Sequence, residues 1–70
     1  MPDFSLHERN LLALYNAGDR FNTIVELNNM ASCLTPEEKE LRDLTEGVLK
    51  KLRQMSDEEF ERFADRELIF

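Results

Sequence analysis

Three stretches of the chain carry the pattern with which an α-helix begins. Ser5 to Glu8, Thr35 to Glu38 and Ser56 to Glu59 each place a hydroxyl and a carboxylate three residues apart. In such a capping box, both side chains accept hydrogen bonds from backbone N–H groups that the first helical turn leaves without a partner. In the second stretch, Pro36 also stands at the favoured first helical position. Repeated helix starts in so short a chain predict an all-α fold.

The remaining helix boundaries follow from turn residues and from the spacing of apolar side chains. Gly18 suits the left-handed backbone conformation with which many α-helices end, and Asp19 after it can cap the next helix. The predicted helices run from Leu6 to about Ala17, from Arg20 to about Cys33, from the Thr35 box to about Gln54, and onward from Ser56. We therefore predict a small bundle of three main helices plus a short fourth C-terminal helix, forming a single domain over residues 1–70.

Apolar residues at helical spacing indicate which faces are buried. On the second helix these are Phe21, Ile24, Val25, Leu27, Ala31 and Leu34; on the third Leu41, Leu44, Val48, Leu52 and Met55, with Leu49 at the margin; on the fourth Phe60, Phe63 and Ala64. Asn28 lies within the second of these faces, either as a buried polar residue that sets helix register or as an exposed one. Gly47 marks either a close approach of another helix or a tolerated surface glycine.

Charge and cysteine content narrow the expected partners and compartment. The formal net charge of -6 opposes attraction to phosphate backbones and to anionic lipids, so neither nucleic acid nor membrane is an expected partner. A lone cysteine, Cys33, cannot form an internal disulfide, and the N-terminus lacks a basic segment followed by an apolar one. Both observations favour a cytoplasmic protein.

No set of side chains in the sequence forms a catalytic or metal-binding pattern. His7 is the only histidine, and we expect a structural or half-exposed capping role for it. Cys33 near a helix C-terminus is expected to be a core thiol, because the helix dipole there disfavours the thiolate. The acidic residues Glu37, Glu38 and Glu40, and Asp57, Glu58 and Glu59, occupy first helical turns. There the positive end of the helix dipole stabilises negative charge. We therefore expect no enzyme, no cofactor and no metal.

The first two predicted helices and the corner between them have the outline of a helix-turn-helix. A recognition helix needs side chains that reach base edges and cations that reach phosphates. The second helix offers Arg20 with Asn22, Asn28 and Asn29, but it also carries Glu26. The helix-turn-helix outline makes a DNA-binding regulator the alternative function. The net charge of -6 makes an acidic regulator that mimics DNA a second form of this alternative.

Three segments, LLALYNAGDR, EKELRDLTEGVLKKL and MSDEEF, together resemble short helical proteins encoded on conjugative transposons and similar mobile elements of gut Firmicutes. The resemblance extends over most of the chain. It implies a bacterial cytoplasmic accessory protein of unknown role, and it assigns no catalytic or binding role to particular residues of this chain.

The C-terminal segment is unusually apolar for the end of so small a domain. Phe60, Phe63, Leu68, Ile69 and Phe70 are predicted either to complete the core or to bind a partner. Each such side chain is worth about 1.5–3 kcal/mol when fully removed from water, so exposing all of them would be costly. We interpret the protein as a non-enzymatic interaction or regulatory module that binds another protein or a second copy of itself.

Overall fold

A computed structural model describes residues 3–67, which contain four α-helices and no strand. The helices are α1 (Leu6–Tyr15), α2 (Arg20–Ser32), α3 (Lys39–Gln54) and α4 (Asp57–Glu67). Helix α3 contacts both α1 and α2, and α4 packs against α2. The all-α prediction is confirmed. The fourth helix is not the short one, however, because its 11 residues exceed the 10 of α1.

Two of the three capping boxes form as predicted. Ser5 Oγ accepts from the Glu8 N–H at 3.2 Å, and Glu8 Oε1 accepts from the Ser5 N–H at 2.8 Å. At α4, Ser56 Oγ accepts from the Glu59 N–H at 3.1 Å, and Glu59 Oε1 accepts from the Ser56 N–H at 3.0 Å. The starts of α1 and α4 therefore lie where the sequence indicated.

The third box forms only in part, and α3 begins later than predicted. Glu38 Oε1 accepts from the Thr35 N–H at 3.2 Å, but the Thr35 hydroxyl donates to the same oxygen instead of accepting from the Glu38 N–H. That N–H bonds the Thr35 carbonyl at 3.0 Å, which closes a single turn. The α-helix itself therefore starts at Lys39, without a side-chain cap.

Helix α1 ends at Tyr15, two residues earlier than predicted. Asn16 adopts an extended conformation, and its side-chain oxygen accepts from the Gly18 N–H at 3.0 Å. The Ala17 N–H donates to the Thr23 hydroxyl at 3.1 Å. Because these two side chains satisfy backbone groups locally, the helix gains nothing by continuing. Gly18 has the predicted positive φ, 98°, but it lies beyond the end of α1 and does not terminate that helix. The Asp19 carboxylate caps α2 as predicted.

The core is built mainly from α3 and α4, with two leucines from α1 and one from α2. Phe60, Val48 and Leu52 are fully buried, and Leu49, predicted at the margin, is buried too. The other buried apolar side chains are Leu11, Leu12, Leu27, Met55 and Phe63.

Helix α2 faces the core with only part of the predicted stripe, since Leu27 is buried and Ile24 is partly buried against the core. Thr23 and Leu27 are fully buried, whereas Phe21 and Val25 are exposed. Thr23 can be buried because its hydroxyl donates to the Asp19 carbonyl at 2.6 Å and accepts from the Ala17 N–H. Asn28 is exposed. Cys33 is exposed as well, so the expected core thiol is wrong.

Candidate interaction surface

The predicted partner-binding residues divide between the core and the undescribed end of the chain. Phe60 is fully buried and Phe63 nearly so, which matches the core alternative for these two side chains. Leu68, Ile69 and Phe70 lie outside the described residues. Partner binding by the whole segment stays a prediction.

The remaining side chains with possible chemistry are scattered. Among residues 3–67, no three His, Cys, Asp or Glu side chains come together in a way that could hold a metal ion. His7 is exposed near the start of α1, and Cys33 follows the end of α2. No helix in this part of the chain is both long and apolar enough to cross a membrane.

Helices α1 and α2 expose large apolar side chains. Within the described range, all four belong to α1 and α2: Leu6 (61% exposed), Leu14 (79%), Phe21 (69%) and Val25 (36%). Single exposed apolar residues are ordinary on protein surfaces. Here, however, Phe21 and Val25 lie one turn apart on the same face of α2. Asn28 and Ser32 continue this line, so the outward ridge of α2 bears no charge.

The same part of the chain is poor in charged residues. Residues 10–33 contain three, Asp19, Arg20 and Glu26, whereas residues 34–67 contain eighteen. Depletion of charge together with an exposed aromatic side chain is typical of the centre of a protein interface. We use the term α2 surface for Phe21 and Val25 together with the adjoining groove, which is lined by residues of α2 and α4.

An open groove of about 290 Å³ lies beside Phe21 at the junction of α2 and α4. Its lining residues are Asp19, Phe21, Asn22, Asp57 and Glu61. Two of its carboxylates have structural partners. Asp19 accepts from the Asn22 backbone N–H at 2.7 Å and from its side-chain amide at 2.9 Å, and Asp57 pairs with Arg20. The groove therefore combines a fixed acidic border with an exposed aromatic ring.

Arg20 holds this junction together. Its Nε donates to Asp57 Oδ1 at 2.8 Å, and its Nη1 donates to the Leu52 carbonyl at 3.0 Å. One guanidinium thereby links the first residue of α2 to the last turn of α3 and the first residue of α4. Arg20 is also the only base between residues 10 and 38. Because it is paired with Asp57, this stretch has no other positive charge to offer.

A polar and aromatic cluster lies elsewhere in the molecule, between α1, α3 and α4. Lys51 Nζ donates to Glu8 Oε1 at 2.7 Å and lies 5.7 Å from the centre of the Phe4 ring, which itself contacts Phe63. Burial raises the pKa of Glu8, but hydrogen bonds from Lys51 and from the Ser5 N–H outweigh it, so the net pKa is lowered.

Gly47 belongs to this cluster. A Cβ at Gly47 would lie 3.3 Å from Glu8 Oε2, so this glycine marks a close approach of the α1 side chain. The Glu8 side chain is nearly buried and the Lys51 side chain is 33% exposed. The arrangement is that of a structural anchor between α1 and α3.

The described residues thus form an all-helical protein whose exposed apolar side chains are gathered on two of its four helices. A family model described as "Putative transposon-transfer assisting protein" (TTRAP) matches residues 4–65. The chain belongs to this family, and the match supports an association with mobile elements. No significant similarity links the chain to a curated protein or to a solved structure.

The residues of the α2 surface were not predicted as a site. Phe21 and Val25 fit the helical spacing of a buried stripe, so periodicity predicts them in the core. The sequence signal for this surface is the charge-poor stretch of residues 10–33. Its apolar residues outnumber the positions that one face of each helix can bury, which indicates that some of them are exposed.

Proposed function

We propose that this protein is a cytoplasmic accessory factor of mobile-element transfer, and that it acts by binding another protein through the α2 surface. The family match supports the connection with transposon transfer. The observation that carries the binding role is the exposure of Phe21 on an uncharged ridge beside a groove. In this proposal the protein contributes a contact and no chemical step.

The distribution of charge favours a protein partner over DNA. In a helix-turn-helix reading, α2 would enter the major groove and its bases would meet phosphates. The one base in α2 is Arg20, whose guanidinium is bonded to Asp57 and to the Leu52 carbonyl. The neighbouring α4 carries six carboxylates and two arginines, which would repel a phosphate backbone.

Transfer of the element is the activity that tests the proposal. A donor strain that lacks this gene is complemented with the wild-type chain, with Phe21→Ser or with Leu6→Ser, and transfer frequency is measured. Leu6 is the matched control, because it is similarly exposed but lies on α1. We expect Phe21→Ser to lower transfer while Leu6→Ser restores it. Equal restoration by both variants would contradict a role for the α2 surface.

Site-specific photo-crosslinking tests the contact directly. A benzoylphenylalanine replaces Phe21 in donor cells during transfer, and the matched control places it at Asp43, which is exposed on the outer face of α3. We expect a crosslink from position 21 to a transfer protein, identified by mass spectrometry, and none from position 43. Crosslinks to DNA at position 21 would instead support the DNA-binding alternative.

A further inference from the structure

We infer that the partner docks on the α2 surface through a cationic amphipathic segment, whose apolar side chains cover Phe21 and Val25 while its Lys or Arg side chains face α4. This inference rests on the proposed function and adds the chemistry of the partner. Both parts of the surface contribute to it, the apolar ridge of α2 and the acidic flank of α4.

The acidic flank consists of Asp57, Glu61 and Asp65, which are spaced four residues apart and are all exposed. Such spacing places successive carboxylates about 6 Å apart along the helix axis, on one side of α4. Asp57 and Glu61 also line the groove beside Phe21. Although Asp57 pairs with Arg20, its side chain remains 76% exposed and can accept from a second cation.

Repulsion determines the charge of the partner segment as much as attraction does. No Lys or Arg occurs from Phe21 to Glu38, and Arg20 is neutralised by Asp57. An approaching cation therefore meets no free positive charge on α2, whereas an acidic segment would meet Glu61 and Asp65 of α4 in addition to the Asp57 that is paired with Arg20. Complementary charge of this kind fixes orientation and speeds association, while the covered apolar ridge supplies the driving force.

A segment with both properties is most simply an amphipathic helix. Its apolar side chains at i and i+4 would match the one-turn spacing of Phe21 and Val25, and cations at the same spacing on its flank would match Asp57, Glu61 and Asp65. The short ridge and the open groove suit one or two helical turns of such a partner.

The test uses the ¹⁵N-labelled 70-residue protein and a synthetic amphipathic helical peptide of leucines and lysines, titrated by NMR. A matched peptide has every Lys replaced by Glu. We expect the Lys peptide to shift the amides of Phe21, Val25, Asp57 and Glu61, and the Glu peptide to shift none of them. Binding of both peptides alike, of neither, or of the Lys peptide at another face would overturn the inference.

Two charge-reversal variants distinguish binding of the Lys peptide at the acidic flank of α4 from its general attraction to the net negative charge of the protein. Glu61→Lys should weaken binding of the Lys peptide by about threefold to tenfold, as loss and reversal of an exposed ion pair would do. Asp43→Lys makes the same change in net charge on the outer face of α3 and should leave the affinity within about twofold. Equal weakening by both variants would remove the argument for a defined acidic border.

The crosslink from position 21 distinguishes this inference from the proposed function. A linked partner peptide with Lys or Arg beside an apolar residue supports both statements. A linked peptide without basic residues leaves the interaction role standing and overturns the cationic segment. Absence of any crosslink to a protein overturns both.

Discussion

Glu8 performs two tasks that are usually divided between side chains. It completes the capping box of α1 through the Ser5 N–H, and it accepts from Lys51 of α3 across the helix interface. At 7% exposure it is the most buried of the described carboxylates. The capping role could be predicted from the Ser5 to Glu8 spacing, but the Lys51 partner could not, because the two residues are 43 positions apart.

The lowered pKa of Glu8 predicts a loss of stability in acid. The pKa of Glu8 is lower in the folded than in the unfolded chain. Such a carboxyl group stabilises the fold at pH values above its unfolded pKa, and that contribution is lost as the pH falls through the folded pKa. We expect the free energy of unfolding, measured with urea, to fall as the pH is lowered from about 5 to about 3.

Glu8→Gln is the control for this pH dependence. The amide cannot titrate, so the variant should be less stable near neutral pH and should show a shallower decrease in acid. Part of the decrease should remain, since the Ser56 N–H also lowers the pKa of Glu59. An identical pH profile for both proteins would mean that the Glu8 to Lys51 pair contributes nothing to folding.

At the scale of the helices, the two hydroxyls that begin similar sequence motifs have different roles. Ser56 accepts from the Glu59 N–H at the start of α4, whereas Thr35 donates to Glu38 within an exposed turn. Ser56→Ala should therefore cost about 0.5–2 kcal/mol of stability, the usual value for a lost N-cap.

Thr35→Ala serves as the matched comparison and should cost less than Ser56→Ala. Urea midpoints followed by circular dichroism give both values, with the slopes expected to be unchanged. If Thr35→Ala proved the more costly, α3 would have to begin at Thr35, contrary to the observed start at Lys39.

Helix starts could be predicted more reliably than helix ends and helix orientation. Ser5, Asp19 and Ser56 cap as their side-chain chemistry indicates, because an N-cap is a local interaction. The end of α1 depends on whether Asn16 bonds the Gly18 N–H, and sequence does not determine that choice. The buried stripe of α2 was predicted correctly at Leu27 but not at Thr23, because Thr23 counts as polar unless its hydroxyl is satisfied by the backbone.

At the scale of the whole molecule, the four phenylalanines among residues 3–67 have different tasks. Phe60 is fully buried, Phe4 and Phe63 contact each other, and Phe21 is exposed. Apolar content alone predicts a core but not which aromatic side chains it omits. The α2 surface therefore cannot be predicted from periodicity, which does not distinguish the buried Leu27 from the exposed Phe21 and Val25.

A pair of substitutions should reveal this division. Phe60→Ala should cost about 3–5 kcal/mol, which approaches the whole stability expected of a domain this small. Phe21→Ser should change the free energy of unfolding by about 0.5 kcal/mol or less, because the ring is already in water. Urea denaturation measures both, and Phe60→Leu provides a milder core variant if Phe60→Ala does not fold. A large loss with Phe21→Ser would place the ring in the core.

The exposed thiol of Cys33 has a practical consequence for such measurements. It is the only cysteine in the chain, and it follows α2, about 18 Å along the helix axis from Phe21. In air, two copies can therefore become covalently joined near the proposed binding ridge, and the resulting dimer would mimic self-association and obstruct a partner. Samples kept under a reducing agent, or carrying Cys33→Ser, avoid this oxidation product.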